Sequence, residues 1–138
     1  MSNEGWTKEC FGGDGGRHTA LPTDSQARKE IPIVTGLMDY FPNALAEVAH
    51  VSFVGNEKHN PGQPLHWSRD KSADHADCIA RHLLERGTFD PVTKVRHSAQ
   101  LAWRALALLQ IEIEADHAKG AKIINDFTDK IDKDRNTA

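Results

Sequence analysis

The sequence predicts an all-α fold in which the helices pack as a bundle. Apolar residues recur at helical spacing in three separate stretches, which begin near Asn43, Ser72 and Lys94. No segment shows the strict alternation of polar and apolar residues that is typical of a half-buried strand. A chain of 138 residues accommodates one domain, and we assign residues 31–138 to it.

Residues 1–30 are predicted to form an irregular, flexible N-terminal arm. Glycine occupies most of positions 12–16, and Pro22 and Asp24 follow before the first helical pattern. Glycine gives the backbone a freedom that a regular element would have to restrict. The glycine run lacks the lysine and hydroxyl residue of a phosphate-binding P-loop, so we do not assign it to nucleotide binding.

The composition excludes several classes of protein. A net charge of −3 gives no basic footprint for stable nucleic-acid binding. No apolar run reaches membrane-spanning length, and no secretion signal opens the chain. Cys10 and Cys78 are the only cysteines, so neither a disulfide framework nor a zinc-finger spacing is present. We therefore expect a cytoplasmic protein that binds no membrane, located in the host cytoplasm if a phage encodes it.

The first long helix is predicted to begin at Asn43 and to end at Gly55. The side chain of Asn43 can cap the free N–H groups of the first turn, and a glycine is a common C-terminal stop. Upstream, prolines and a glycine interrupt residues 31–42, which we interpret as an extended lead-in followed by a turn. Glu47 and His50 lie three positions apart on this helix, and residues at that spacing share one face.

A polar loop is predicted for residues 56–71, because two prolines and a glycine exclude a regular element there. The second helix is predicted to start at Ser72 as its N-cap residue and to close at Gly87. Asp74 and Asp77 repeat the i, i+3 spacing of the polar pair on the first helix. The two helices therefore offer two pairs of possible metal ligands.

The third helix is predicted to span residues 94–117 and is apolar nearly all round. A helix without a polar face lies at the centre of a bundle or at a subunit interface, so we predict a homo-oligomer, either a dimer or a tetramer. Gly120 is predicted to end this helix, and a short amphipathic helix follows it. The charged end at residues 130–135 is predicted to fray.

The predicted metal ligands are Glu47, His50, Asp74 and Asp77. Two i, i+3 pairs on neighbouring helices can surround one or two divalent cations, and such cations bind polyphosphates. A histidine in the set tilts the preference from Mg²⁺ toward Mn²⁺. Arg81 lies one turn beyond the second pair, where its guanidinium either pairs with the carboxylates or binds a phosphate.

Three functions fit this arrangement. The first is a metal-dependent nucleotide pyrophosphohydrolase, in which cations hold the triphosphate and activate a water molecule. The second is an HD-type metal phosphohydrolase, whose signature is an adjacent His-Asp pair, whereas this chain has the reverse order at Asp74-His75. The third is a non-catalytic helical oligomerisation module whose charged residues are only solvated. Metal dependence and release of pyrophosphate distinguish the first from the other two.

Two patterns in the chain resemble known families. The spacing Glu47-x-x-His50 followed by Asp74-x-x-Asp77 is similar to the ExxE and ExxD pairs of the MazG-like all-α nucleotide pyrophosphohydrolases. A second set of segments resembles the dATP/dGTP diphosphohydrolase N-terminal-domain family of phages and bacteria, and it comprises residues 41–49, 54–59, 66–67 and 77–82 and Asp90-Pro91 followed by His97.

The second resemblance implies a MazG-like helical bundle that cleaves dGTP and dATP to a monophosphate and pyrophosphate, with Mn²⁺ or Mg²⁺ as cofactor. It also implies a place in a phage 2-aminoadenine DNA pathway, where dGMP is used and dATP is removed. Glu47 and Asp77 are the predicted catalytic residues. The predicted substrate-binding residues are Lys58, Trp67, Arg81, His82 and His97. Gln100 and Arg104 depart from the family's pattern, which often has histidine and asparagine there.

Overall fold

The computed structural model describes residues 21–137, and the regular elements of this part of the chain are all helical. The α-helices follow in the order α1 (Ser25–Lys29), α2 (Pro42–His59), α3 (His75–Leu84) and α4 (His97–Asn136). A π-helical turn at Val34–Met38 and a 3-10 turn at Arg69–Lys71 lie between them. The predicted all-α class is confirmed. Most of the predicted N-terminal arm lies outside the described residues, and α1 occupies its last part.

The segment before α2 is more helical than predicted. The π-helical turn replaces the extended lead-in from Val34 onward, and the Gly36 N–H donates to the Pro32 carbonyl at 2.7 Å. A Cβ on Gly36 would lie 3.0 Å from Pro32 Cγ, so the missing side chain allows this close approach. The prediction of extended backbone is therefore wrong for this turn.

Helix α2 begins at Pro42, one residue earlier than predicted, because proline is well tolerated in the first turn of a helix. The predicted end at Gly55 is wrong, since the helix continues to His59. The C-cap residue is Asn60, whose N–H donates to the Asn56 carbonyl, and the left-handed residue of this segment is Gly62, two positions further on, with a φ of 72°. Residues 56–59 are therefore the last turn of α2 and not the start of a loop.

Helix α3 starts later than predicted, with Asp74 as its N-cap residue and His75 as its first residue. Ser72, the predicted cap, instead donates its hydroxyl to Asp74 Oδ1 at 2.8 Å. The helix ends at Leu84, and Gly87 follows with a φ of 82°. This left-handed glycine agrees with the predicted stop.

Helix α4 runs unbroken over 40 residues. The predicted break at Gly120 is wrong, because one glycine inside a helix costs only about 1 kcal/mol relative to alanine, and alanine and lysine flank it on both sides. The predicted fraying at residues 130–135 is also wrong, since these residues are helical. The helix starts at His97, after the extended N-cap residue Arg96, and Lys94 upstream adopts a left-handed φ of 62°. Within residues 21–137, no helix has the combined length and apolarity needed to cross a membrane.

Helix α4 is the centre of the fold, because α2 and α3 both pack against it. On the α2 side, the Trp103 indole N–H donates to the Ser52 hydroxyl at 2.8 Å. Among the residues whose burial the structure describes, the buried apolar ones are Cys78, Val95, Ala99 and Ala107, so this core is small. Large apolar side chains on α2 and α4 stay exposed, among them Phe53 and Leu109. The packing of α3 on α4 sets the geometry of the candidate site.

Candidate metal centre

The end of α3 and the start of α4 are joined by a short connection, residues 85–96. The His97 N–H donates to the Thr88 carbonyl at 3.1 Å, and the Asp90 N–H donates to the Val95 carbonyl at 2.8 Å. These bonds fold the connection back on itself. The first residue of α4 therefore lies against the last turn of α3.

A carboxylate fixes the tip of this connection. Asp90 Oδ1 accepts the N–H groups of Thr93 at 3.0 Å and Val92 at 2.8 Å. These two bonds lower the pKa of Asp90, because they stabilise its charged form. Lys94 follows in the left-handed conformation and completes the reversal. The local sequence thus determines where His97 is placed.

Three possible metal ligands meet at this junction: His82, Glu85 and His97. The Nδ1 atoms of the two histidines are 3.0 Å apart, and His97 Nδ1 lies 3.3 Å from Glu85 Oε2. His97 is buried, His82 is half-buried and Glu85 is exposed. Among residues 21–137, this is the one group of three or more such side chains whose ligand atoms all lie within 4.8 Å of one another. The group, which we call the His-Glu-His group, could hold a metal ion.

The chemistry of the His-Glu-His group fits a transition-metal ion better than Mg²⁺, since two of its donors are imidazole nitrogens. Burial and the charges of His97 and Arg104 lower the pKa of His82. A lowered pKa favours the neutral imidazole, which is the form that binds a metal. Three protein ligands leave further coordination positions for water or substrate.

Sequence reasoning assigned His82 and His97 to substrate binding and missed Glu85. A signal was present, because His82 and Glu85 are three positions apart at the end of α3, a spacing that brings side chains together on a helix. His97, the third member of the group, lies 12 positions after Glu85, beyond the connection. Its proximity follows from the folded connection and not from any periodicity.

Glu47 and His50 lie on α2 and line a small pocket of about 130 Å³ with Phe89, Lys94, Val95 and Arg96. Glu47 Oε1 accepts a hydrogen bond from Arg96 Nε at 3.0 Å. The Arg96 guanidinium also lies over the Phe89 ring, 4.6 Å from its centroid. The first predicted pair of ligands therefore faces the connection that leads into α4, and an arginine neutralises its carboxylate.

Asp74 and Asp77 lie at the start of α3. Asp74 Oδ1 accepts the Ser72 hydroxyl at 2.8 Å, and Asp74 Oδ2 accepts Arg81 Nη2 at 3.1 Å. The Ser72 and Arg81 bonds hold the pKa of Asp74 well below its usual range. Asp77 is exposed. The four predicted ligands Glu47, His50, Asp74 and Asp77 do not form a group with all ligand atoms within 4.8 Å.

The predicted substrate-binding residues outside the His-Glu-His group occupy three separate places. Lys58 is exposed on the last turn of α2. Trp67 packs edge-on against Trp103, with ring centroids 5.7 Å apart, and Arg69 lies over the Trp67 ring at 4.2 Å. Arg81 donates to Asp74. The structure thus brings together His82 and His97 and leaves Lys58 and Trp67 apart from them.

One family of known proteins matches this chain. The family described as dATP/dGTP diphosphohydrolase, N-terminal, matches residues 22–120, which is more than two thirds of the chain. The matched range contains every predicted site residue and the whole His-Glu-His group. No curated protein and no solved structure matches the chain.

Proposed function

We propose that this chain, which belongs to the dATP/dGTP diphosphohydrolase N-terminal family, hydrolyses purine deoxynucleoside triphosphates to a monophosphate and pyrophosphate. The observation that carries this proposal is the family match over residues 22–120, the part of the chain that includes all the candidate site residues. dGTP and dATP are the proposed substrates, because the family's description names them. A role in a phage 2-aminoadenine DNA pathway fits these substrates and their monophosphate products.

We place the cofactor at the His-Glu-His group and propose Mn²⁺ in preference to Mg²⁺, because its donors are rich in nitrogen. A divalent ion neutralises phosphate oxygens and lowers the pKa of a bound water. His82 and His97 would offer imidazole nitrogens, and the Glu85 carboxylate would offer a negative charge. The exposed position of Glu85 leaves this side of the group open to a nucleotide.

Glu47, His50, Asp74 and Asp77 remain our proposed second set of metal ligands, with Glu47 and Asp77 as the catalytic carboxylates. The Arg96 guanidinium forms an ion pair with Glu47, and the Arg81 guanidinium forms one with Asp74. A cation bound by these carboxylates would release both arginines. The freed guanidinium groups would then be available to phosphate oxygens, which arginine binds in pairs.

Glu85→Gln is expected to weaken Mn²⁺ binding at least tenfold, because the substitution removes the only negative charge of the His-Glu-His group. Isothermal titration of the purified chain with Mn²⁺, in parallel with the parent, measures this loss. Glu112→Gln is the matched control, since Glu112 is exposed on α4 outside the group. If the parent and Glu85→Gln bind Mn²⁺ with equal affinity, the ion does not bind at the His-Glu-His group.

The two alternative functions receive less support. An HD-type phosphohydrolase needs a His-Asp pair on the metal, whereas His75 Nδ1 contacts Arg104 at 3.2 Å and belongs to no three-residue group of ligands among residues 21–137. A purely structural module leaves the His-Glu-His group without a role. The exposed apolar surface that suggests such a module is equally well explained by an enzyme that assembles with itself.

We propose that the chain forms a homo-oligomer through an apolar groove between α2 and α4. The groove has a volume of about 580 Å³, and its apolar lining residues include Leu45, Val48, Leu106, Leu109 and Ile113. Leu106 and Leu109 are each 53% exposed. An apolar surface of this kind on two neighbouring helices is typical of a protein interface. Burial in a second subunit would enlarge a core that is small in one chain.

Leu109→Glu is expected to shift the chain from oligomer to monomer, because it places a charge in the centre of the apolar groove. Size-exclusion chromatography with light scattering at micromolar concentration measures the mass of both proteins. Ala118→Glu adds the same charge at an exposed position of α4 outside the groove and should leave the mass unchanged. A parent protein that is already monomeric contradicts the proposed assembly.

A further inference from the structure

Arg104 lies in the seam between α3 and α4 and is held there by two residues at the start of α3. Arg104 Nη1 donates to the Ser72 hydroxyl at 2.7 Å and contacts His75 Nδ1 at 3.2 Å. The side chain of Arg104 is half-buried. A guanidinium carries five N–H donors, so these two contacts leave others available.

Arg104 differs from three other arginines whose side chains the fold holds. Arg69, Arg81 and Arg96 each lie within 4.0 Å of a carboxylate. Among residues 21–137, no carboxylate oxygen lies within 4.0 Å of the Arg104 guanidinium. A partly desolvated cation without a counter-charge is unfavourable, and a bound anion would compensate it.

His75 is the residue that fixes the position of Arg104. Arginine can only donate, so His75 Nδ1 accepts and the neutral ring carries its proton on Nε2. His75 is 5% exposed, and its Nε2 is buried without a hydrogen-bond partner in the described part of the chain. A buried donor without an acceptor lowers stability. In the described part of the chain, the His75 ring therefore contributes one hydrogen bond, the one that holds Arg104.

Two features of the fold lie on either side of Arg104. His75 is the first residue of α3, and the N-cap residue Asp74 makes no side-chain hydrogen bond to the backbone N–H groups of the first turn. The Asp74 carboxylate is linked to Arg104 through the Ser72 hydroxyl, which donates to Asp74 Oδ1 at 2.8 Å and accepts from Arg104 Nη1 at 2.7 Å. On the other side, Arg104 lies seven positions after His97 on α4, a spacing that puts the two residues on the same face of the helix, two turns apart. Arg104 therefore lies between a helix N-terminus and the candidate metal centre.

We infer that Arg104, positioned by Ser72 and His75, binds a phosphate group of the nucleotide beside the His-Glu-His group. This inference rests on the proposed function for the identity of the ligand. The anion is a phosphate or pyrophosphate moiety, held by the guanidinium on one side and facing the metal ligands on the other.

Titration of the metal-free protein with inorganic pyrophosphate tests the inference. Arg104→Gln is expected to lower the pyrophosphate affinity about tenfold or more, as is typical for loss of a charge-assisted hydrogen bond. Arg86→Gln removes the same charge from an exposed arginine in the connection after α3 and should change the affinity less than about twofold. Parallel titrations with inorganic phosphate and with dGMP distinguish a pyrophosphate subsite from one for the nucleotide's own phosphate.

The variant His75→Phe tests whether His75 positions Arg104 or only stabilises the fold. It keeps a planar ring but removes the acceptor for Arg104 and the unpaired donor. We expect a several-fold loss of pyrophosphate affinity with an unchanged or higher melting temperature. A lower melting temperature with parental affinity would show that His75 has only a structural role.

If Arg104→Gln binds pyrophosphate as tightly as the parent does, the proposal that Arg104 forms an anion subsite is refuted. This readout involves no turnover, so it is independent of the proposed activity. A parent that hydrolyses dGTP while Arg104→Gln binds pyrophosphate normally would refute only the subsite. Conversely, a parent that binds pyrophosphate through Arg104 but hydrolyses no nucleotide would refute only the proposed function.

Discussion

Glu47→Gln is expected to lose metal-dependent hydrolysis of dGTP and dATP by at least a hundredfold while retaining its fold. The amide has the shape of the carboxylate but not its charge, so it binds a divalent cation poorly. Removal of one electrostatic contact to the transition state typically costs about 100-fold or more in rate. The Glu47–Arg96 pair is half exposed, and such pairs contribute little to stability. Initial rates of pyrophosphate release and the melting temperature measure the two effects.

Glu57→Gln is the matched control for this prediction, because Glu57 is exposed on the same helix and belongs to neither set of proposed ligands. It should retain the parental rate. Asp77→Asn is expected to behave like Glu47→Gln, since Asp77 is the second proposed catalytic carboxylate. Parental turnover in either Glu47→Gln or Asp77→Asn would refute the role assigned to that residue.

Arg81→Lys is expected to lower kcat/KM about a hundredfold with only a small change in melting temperature. Lysine keeps the positive charge but cannot copy the planar fork that binds two phosphate oxygens. Such a contact supports the charge that develops on the leaving pyrophosphate. Steady-state kinetics with dGTP, together with thermal unfolding, measure both quantities.

The structure sets a clear alternative for Arg81. Its guanidinium contacts Asp74 Oδ2 at 3.1 Å and Cys78 Sγ at 3.0 Å, so it could serve only to neutralise the start of α3. In that case, lysine would preserve kcat/KM and the protein would melt at a lower temperature. Arg86→Lys, at an exposed position that touches neither ligand set, controls for a general effect of the exchange.

The helices of this fold were predictable from the sequence, and most of their ends were not. Apolar periodicity located α2, α3 and α4, because burial against a neighbouring helix requires that spacing. The errors at Gly55 and Gly120 have one cause. A glycine favours the end of a helix where the backbone turns left-handed, as it does at Gly62 and Gly87, two positions after the C-cap residues of α2 and α3, and the residue type alone does not reveal this.

The candidate site was predictable only in part, for a similar reason. Spacing along one helix correctly predicts which residues share a face, but it does not predict which residues of other elements contact that face. Arg96 reaches Glu47 across 49 positions of sequence, and Arg81 reaches Asp74 on its own helix. The His-Glu-His group depends on the turn at Asp90, which no periodic pattern encodes.

The products formed from dGTP in the presence of Mn²⁺ test the central claim most directly. Separation of the nucleotide and phosphate products by ion-exchange chromatography, with and without a chelator, identifies the bond that is cleaved. We predict dGMP and pyrophosphate in equal amounts, with turnover abolished by the chelator and restored by Mn²⁺. Release of orthophosphate, or turnover that is indifferent to the chelator, would contradict the assignment of this chain as a metal-dependent pyrophosphohydrolase.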